Sequence, residues 1–249
     1  MLQDKTILIT GASSGIGAAA VKLFADAGAN LVITARRKDR LEAVKAELNG
    51  ARERVLIVPG DVSDPDSAKA VVDAAQNHFG GLDGAFNNAG ILGDLGPVPE
   101  MRQEAWNTVI RTNLTSCFLA AKHQIPALKQ QGGGAIVFTS TFVGHTVGMP
   151  GMAAYGASKA GLIGLTQCLA AECGQDNIRV NALLPGGTKT EMAGNDPEFL
   201  EFVKGMHALK RMAEPEEIAK AALFLLSDAG SFVTGSAMLC DGGNSISKT

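Results

Sequence analysis

The stretch TILITGASSGIGAAAVKLFADAG, residues 6–28, decides the fold. The apolar run 6–10 favours a buried strand, and it leads directly into Gly11-Ala-Ser-Ser-Gly15-Ile-Gly17 and an alanine-rich helix. Glycines let the backbone turn sharply and approach a pyrophosphate closely, and the following helix offers free N–H groups to an anion. A tight turn with close strand–helix packing is the alternative interpretation. Because the loop joins a strand to a helix at the first such turn, it predicts a dinucleotide-binding βαβ unit.

Strand-like and helix-like segments alternate along the whole chain. The strand candidates are short apolar runs at 6–10, 30–34, 54–58, 84–87, 135–140, 178–184 and 236–240. Between them, apolar residues recur at helical spacing, and two of these helices should end at Gly28 and Gly80. This alternation predicts an α/β fold with a doubly wound, parallel, seven-stranded sheet and helices on both faces. The chain has no evident linker or repeat, so we predict one dinucleotide-binding and catalytic domain over residues 1–249.

Composition argues against several classes of function. The net charge is −3 and the isoelectric point about 5.8, so we expect no basic face for nucleic acid. No signal-peptide pattern precedes the first strand, and the uncharged stretch between Lys129 and Lys159 has too many glycines and polar residues for a membrane helix. The four cysteines lack CxxC spacing and the four histidines are scattered. We therefore expect a cytoplasmic protein with free thiols, no metal site and no membrane partner.

Tyr155 and Lys159, in YGASKAG, are the strongest candidates for chemistry. Tyr155 is the only tyrosine of the chain, and a four-residue spacing on a helix places both side chains on one face. We expect the ammonium to favour the phenolate and lower the pKa of Tyr155, which suits a proton donor and acceptor near neutral pH. Such spacing also arises by chance, so the glycine-rich loop gives the pair its weight.

Four motifs together resemble the short-chain dehydrogenase/reductase family: T-G-A-S-S-G-I-G at 10–17, N-N-A-G at 87–90, Y-x-x-x-K at 155–159 and P-G at 185–186. The resemblance extends to D-G-G at 241–243 and covers essentially the whole chain. It implies a Rossmann fold, a nicotinamide cofactor and hydride transfer to or from the carbonyl of a small-molecule substrate. It also implies a homotetramer.

The resemblance implies cofactor contacts at the positions that match family motifs. Those for the pyrophosphate and adenosine ribose lie in the glycine-rich loop, at Gly11, Ser13, Ser14, Gly15, Ile16 and Gly17. Those for the adenine are Asp61 and Val62, and the chain passes beside the ribose at Asn88, Ala89 and Gly90. Those on the nicotinamide side are Tyr155, Lys159, Pro185, Gly186, Thr188 and Thr190.

The catalytic hydroxyl departs from the family pattern. The family's serine usually stands 13 residues before the tyrosine, where this chain has Phe142. The family's S-x-x-G pattern aligns instead with Thr141-Phe-Val-Gly144, which gives Thr141 the serine's role after a loop one residue longer. Ser140 is the competitor, and adjacent residues at a strand end point to opposite faces, so one of the two should reach the substrate. We favour Thr141.

The turn after the second strand, LVIT-Ala35-Arg36-Arg37, should select the cofactor. An NAD-binding site usually places an acidic residue here to accept from the ribose 2′-OH, and this chain has Ala35 followed by two arginines. A guanidinium matches a 2′-phosphate in charge and geometry, so we predict NADP(H), with Arg36 as the main contact and Arg37 as the secondary one. A solvated cluster with Lys38 and Arg40 is the alternative, and family members without the acidic residue can still use NAD(H).

These observations predict an oxidoreductase that moves a hydride between NADP(H) and a carbonyl or secondary alcohol, with Tyr155 as general acid or base. Asn113, in I-R-T-N-L, matches the family's helix asparagine that helps hold a proton-relay water; an ordinary polar helix residue is the alternative. Tyr155→Phe should abolish turnover and leave cofactor binding nearly intact. Specificity should lie in the loop 144–154 and in the segment 190–212, a predicted substrate lid.

Other functions remain open at this point. An NAD(H)-dependent alcohol or sugar dehydrogenase and a 3-oxoacyl reductase share the same motifs. A non-catalytic dinucleotide-binding regulator is a more remote alternative, and the missing serine is its one support.

Overall fold

Seven strands form the centre of the structure, a computed structural model that describes residues 1–247. They are β1 Thr6–Thr10, β2 Asn30–Thr34, β3 Val55–Ile57, β4 Gly84–Asn87, β5 Gly134–Thr139, β6 Ile178–Pro185 and β7 Ala237–Cys240. Their order in the sheet is β3-β2-β1-β4-β5-β6-β7, and all neighbours are parallel. All seven predicted strands are present, and no bound differs from its prediction by more than one residue.

Helices cover the sheet on both faces. They are α1 Gly15–Asp26, α2 Lys38–Ala46, α3 Pro65–Phe79, α4 Gln103–Ile110, α5 Ser116–Gln130, α6 Ala153–Cys173, α7 Pro197–Met206 and α8 Pro215–Leu226. Ile7 and Ile9 of β1 pack in the core formed with α1, α2 and α8, whereas Leu8 between them packs with α3, α5 and α6. Successive strand residues point to opposite faces, so both faces need apolar residues. The predicted doubly wound Rossmann-type fold is confirmed.

The ends of α3 show how local sequence sets the helix bounds. The Asp64 carboxylate accepts the backbone N–H of Asp66 at 3.1 Å, and Pro65 occupies the first helical position, where its missing N–H has no helical partner to lose. At the other end the helix stops at Gly80, whose φ of 83° is left-handed. This helix end was predicted from the sequence.

The carboxyl ends of the parallel strands meet at one edge of the sheet. Strands β1 and β4 are neighbours, but the chain leads from β1 towards one side of the sheet, to β2, and from β4 towards the other side, to β5. Parallel α/β sheets bind ligands at such a switch point. The uncharged stretch between Lys129 and Lys159 supplies β5, a loop that ends at this edge, and the first turns of α6, as predicted. Among the helices of residues 1–247, none has both the length and the apolar character needed to cross a membrane.

Candidate active site

The glycine-rich loop packs closely against neighbouring backbone at Gly11 and Gly17, two of its three glycines. Gly11 has a φ of 66°, and a Cβ there would lie 2.8 Å from the Cα of Ala89. A Cβ on Gly17 would overlap the carbonyl oxygen of Gly11. Ser14 is the N-cap of α1, and its side chain makes no capping hydrogen bond. The backbone N–H groups at the start of α1 are therefore available, and the loop fits the pyrophosphate of a dinucleotide.

Thr10 holds the segment that follows β4 against this loop. Its hydroxyl oxygen accepts the N–H groups of Asn88 at 3.0 Å and Ala89 at 3.1 Å. The next residue, Gly90, lies over the catalytic candidates, because a Cβ there would be 3.1 Å from Nζ of Lys159 and 3.3 Å from Oδ1 of Asn113. The predicted ribose segment therefore runs from the glycine-rich loop to Lys159.

Asp61 and Val62 line a small, partly open pocket of about 20 Å³ at the ends of β1, β2 and β4. The Asp61 carboxylate accepts the N–H and the hydroxyl of Ser63 at 2.9 and 2.8 Å. These bonds lower the pKa of Asp61, and the nearby charge of Arg36 lowers it further. Arg36 and Arg37, which follow β2, are exposed, and within residues 1–247 neither side chain forms a hydrogen bond or ion pair. The two guanidinium groups are therefore available to a ligand at this edge of the sheet.

Tyr155 and Lys159 share one face of α6, as predicted, and Nζ of Lys159 lies 5.9 Å from the centre of the phenol ring. Lys159 is 4% exposed, and its ammonium donates to the carbonyl oxygen of Thr139 at 2.6 Å. Burial lowers the pKa of Lys159 to about 8. Among residues 1–247 no carboxylate pairs with this ammonium.

The expected lowering of the Tyr155 pKa is wrong for this arrangement. Burial of the phenol raises the pKa of Tyr155, and the Thr141 hydroxyl opposes that rise. Burial disfavours a phenolate, and the Lys159 ammonium is directed at a carbonyl oxygen rather than at the phenol. A four-residue spacing fixes the face that the two side chains share, but it leaves their burial undetermined.

Ser140 and Thr141 point in different directions beyond the end of β5. The Ser140 hydroxyl donates to the carbonyl oxygen of Lys159 at 2.7 Å, so it ties the strand end to α6. The Thr141 hydroxyl lies beside the Tyr155 phenol, where it affects the pKa of the tyrosine. Of the two candidates, Thr141 is the one placed next to Tyr155.

Asn113 lies in a π-helical turn, Arg111–Thr115, between α4 and α5. Its side chain is buried and exchanges two 2.8 Å hydrogen bonds with the backbone of Ile91. Its amide also donates to the Ser158 hydroxyl at 3.0 Å, and Ser158 donates to the carbonyl oxygen of Tyr155 at 2.7 Å. Asn113 thus fixes α6 against the loop after β4. Ser158 was missed from the sequence, although it stands directly before Lys159.

The segment after β6 also borders the glycine-rich loop, at a different place from the segment after β4. The Thr188 hydroxyl donates to the carbonyl oxygen of Gly186 at 3.0 Å and shapes the turn that follows Pro185. A Cβ on Gly15 would lie 2.9 Å from the Thr190 side chain, so this segment borders the phosphate loop. Next to it, Arg40 of α2 pairs with Glu191 at 2.7 Å. Arg40 therefore contacts the start of the predicted lid.

Comparison with known proteins identifies the family. Residues 11–245 match the family model described as enoyl-(acyl carrier protein) reductase. A solved short-chain type dehydrogenase/reductase from Mycobacterium marinum superposes with a TM-score of 0.94 and 35% identity over 99% of this chain and 97% of the other. The chain belongs to the short-chain dehydrogenase/reductase family.

Two relatives that are similar in sequence to this chain bear the names of different enzymes. Cyclohexanol dehydrogenase of Acinetobacter sp. is 38% identical over 239 residues, which are 96% of this chain and 94% of the relative. The 3-oxoacyl-acyl-carrier-protein reductase of Thermotoga maritima is 40% identical over 243 residues, 97% of this chain and 98% of the relative.

Membership of the short-chain dehydrogenase/reductase family confirms the resemblance stated from the motifs. It also confirms the predicted enzyme class, an oxidoreductase acting on CH–OH groups, and implies a nicotinamide nucleotide as cofactor. Within residues 1–247, no cluster of three or more His, Cys, Asp or Glu side chains is arranged to hold a metal ion.

Proposed function

We propose that the protein interconverts a ketone and a secondary alcohol with NADP(H) as the hydride carrier. The observation that carries this proposal is the position of the Tyr155 phenol, with the Thr141 hydroxyl beside it and Lys159 on the same helix face. All three lie at the sheet edge that the glycine-rich loop also borders, so one extended ligand can reach both ends of the site.

Each part of the dinucleotide has a group of residues suited to hold it. The glycine-rich loop at 11–17 would bind the pyrophosphate, and Asp61 with Val62 would bind the adenine. The segment 88–90 would lie along the ribose, and the segment 185–190 would hold the carboxamide end. When bound, the nicotinamide supplies the hydride to the carbonyl carbon or accepts it from the alcohol carbon.

The chain's own residues would move and stabilise the proton and the developing charge. Tyr155 donates its phenolic proton to the carbonyl oxygen in reduction and takes it back in oxidation. Thr141 donates a hydrogen bond to the same oxygen and stabilises its charge. Lys159 holds a positive charge next to the phenol and would reach the nicotinamide ribose. Asn113 holds α6 against the loop after β4 and supports the water that returns the proton.

Arg36 and Arg37 support the preference for NADP(H). Both are exposed, the charge of Arg36 acts on Asp61, and a 2′-phosphate would give the two guanidinium groups an ionic partner. The preference is tested by parallel fluorescence titrations of the purified protein with NADPH and NADH. We expect NADPH to bind at least about tenfold more tightly, which is about 1.4 kcal/mol. Equal or tighter binding of NADH would instead favour an NAD(H)-dependent alcohol or sugar dehydrogenase.

For the substrate, we propose a small apolar ketone or secondary alcohol. The cyclohexanol dehydrogenase relative supports this class, as do Met192, Phe199 and Phe202, which are exposed on the predicted lid at 190–212. The relative that reduces 3-oxoacyl-acyl-carrier-protein favours a second candidate, a 3-oxoacyl thioester. Rates with cyclohexanone, a 3-oxoacyl thioester and a sugar alcohol separate the classes. A kcat/KM for the thioester above that for the cyclic ketone would favour the second candidate.

The remaining assignments stay predictions. We propose one catalytic domain, a lid at 190–212, a homotetramer and a cytoplasmic location. Phe118 and Phe232 are large exposed side chains available to an oligomer interface. All four cysteines are free thiols, which is consistent with a reducing cytoplasm. Light scattering of the purified protein tests the tetramer.

A further inference from the structure

His207 is a buried histidine that the proposed reaction does not use. It follows α7 directly, within the predicted lid, and it is 1% exposed. Its ring makes two hydrogen bonds to backbone groups of different segments. Nε2 accepts the N–H of Gly187 at 3.0 Å, and Nδ1 lies 2.7 Å from the carbonyl oxygen of Val203.

These two partners allow only one form of the ring. A backbone N–H can only donate and a carbonyl oxygen can only accept. Nδ1 must therefore carry the proton that is donated to Val203, and Nε2 must keep its lone pair for Gly187. The other neutral tautomer, and the imidazolium, would each place an N–H against the N–H of Gly187. His207 is thus held as the neutral Nδ1–H tautomer.

The space for the ring is made by glycines from two other parts of the chain. A Cβ on Gly186 would lie 2.7 Å from Nε2 of His207, and a Cβ on Gly187 would lie 2.9 Å from Cε1. On another side, a Cβ on Gly242 would lie 3.2 Å from Cδ2. Any larger residue at the first two positions would displace the ring. The imidazole therefore fills a slot that the sequence leaves open in two separate segments.

The slot joins two parts of the proposed site. Gly187 belongs to the segment 185–190, proposed to hold the nicotinamide carboxamide, and its own carbonyl oxygen accepts the N–H of Ala213 at 2.9 Å. Val203 belongs to α7, the helix of the proposed lid. Just after His207, the N–H of Leu209 donates to the carbonyl oxygen of Gly242 at 3.1 Å. One side chain thus connects the lid helix to the segment that would hold the carboxamide.

We propose that His207 is a positioning residue that fixes the substrate lid to the nicotinamide-binding segment through its Nδ1–H tautomer. It acts through Gly187 and Val203 and does not touch the reacting atoms. The lid and carboxamide roles in this proposal rest on the proposed function, whereas the tautomer and the fixed position of α7 do not.

The tautomer is measured on the unmodified protein. Two-bond ¹H–¹⁵N NMR of protein labelled with ¹⁵N-histidine at neutral pH distinguishes a protonated Nδ1 from a protonated Nε2. The signals of the other three histidines are assigned by His78→Gln, His123→Gln and His145→Gln, so the His207 signal is identified even if variants of His207 do not fold. We expect a protonated Nδ1 and an unprotonated Nε2. An Nε2–H tautomer or an imidazolium at His207 would overturn the proposal.

Two variants test the positioning role. His207→Leu fills the slot with an apolar side chain and removes both hydrogen bonds. His207→Gln places an oxygen there that can accept the N–H of Gly187. Loss of one or two hydrogen bonds corresponds to roughly a five- to thirtyfold effect. We expect His207→Leu to raise the substrate KM and the rate of proteolytic cleavage within 190–206 by about that factor, and His207→Gln to restore part of both. His78→Gln, on the exposed face of α3, is the control and should match the wild type.

The outcomes separate this proposal from the proposed function. If the tautomer and the proteolysis results are as expected and no NADP(H)-linked turnover is found, the attachment of the lid helix stands and the proposed function fails. Wild-type cleavage and KM in His207→Leu, or equal defects in the Leu and Gln variants, would refute the positioning role while leaving the proposed function intact.

Discussion

At neutral pH, Lys159→Met should abolish turnover and leave the stability of the protein equal or higher. Loss of the Lys159 hydrogen bond alone would lower the stability instead. Lys159 is 4% exposed, and within residues 1–247 its ammonium has a carbonyl oxygen as partner but no carboxylate. Methionine has a similar length and no charge, so it fits the same space. The variant removes a buried charge together with one hydrogen bond, and pH separates the two effects.

The magnitude follows from the pKa of Lys159. Burial lowers this pKa from 10.5 to about 8, which means that the folded state disfavours the charged form by about 3 kcal/mol. Because the folded-state pKa lies below the unfolded one, the penalty is fully present below pH 8 and disappears as the pH rises above 10.5. The lost hydrogen bond to Thr139 costs the variant about 1–3 kcal/mol at every pH. At pH 7 the variant should therefore equal or exceed the wild type in stability by up to about 2 kcal/mol.

Urea unfolding at pH 7 and pH 10, followed by circular dichroism, gives the difference in stability. We expect the advantage of Lys159→Met over the wild type to fall by about 2 kcal/mol between these values, as the folded wild type loses its buried charge. Lys129→Met is the control, because pairing with Asp176 raises the pKa of exposed Lys129 above 10.5, so its charge and its contribution to stability should hardly change between pH 7 and pH 10. Turnover of Lys159→Met should be lost at both pH values. A stability difference that is the same at pH 7 and pH 10 would refute the burial argument.

Three further substitutions test separate parts of the site. Gly17→Ala should abolish NADPH binding in a fluorescence titration, because its methyl group would overlap the carbonyl oxygen of Gly11; binding within threefold of the wild type would contradict the loop assignment. Thr141→Val should lower kcat/KM about 10²-fold, as loss of an oxyanion donor does. Ser140→Ala should chiefly lower the free energy of unfolding, measured with urea, by about 1 kcal/mol. The reverse pattern would transfer the catalytic hydroxyl to Ser140. Arg36→Ala should weaken NADPH binding about tenfold and leave NADH binding unchanged, and equal losses for both nucleotides would remove Arg36 from 2′-phosphate recognition.

The sheet could be predicted from sequence because its strands carry a local signal. The runs 6–10, 30–34 and 84–87 have apolar residues at their centres and begin or end at glycine or polar residues, and the strands occupy these ranges. The location of the site followed from the same signal, since parallel strands place their carboxyl ends, and the loops after them, at one edge. The helical spacing of Tyr155 and Lys159 likewise fixed their common face.

What the sequence left open depends on contacts between distant segments. Alternation along a strand separates Ser140 from Thr141, but which of them faces Tyr155 depends on where α6 packs. The direction of the Tyr155 pKa was mistaken because burial of the phenol comes from the whole fold. His207 could not be singled out because its slot is built by Gly186, Gly187 and Gly242, which are far from it in the chain.

The central claim is that Tyr155 transfers the proton while a separately bound cofactor transfers the hydride. Tyr155→Phe tests it most directly, with NADPH binding and turnover of a ketone substrate measured on the same preparation. We predict NADPH binding within about threefold of the wild type and a loss of kcat/KM of about 10²- to 10⁴-fold, the contribution of a general acid. Turnover within tenfold of the wild type would contradict the account and remove Tyr155 from the mechanism.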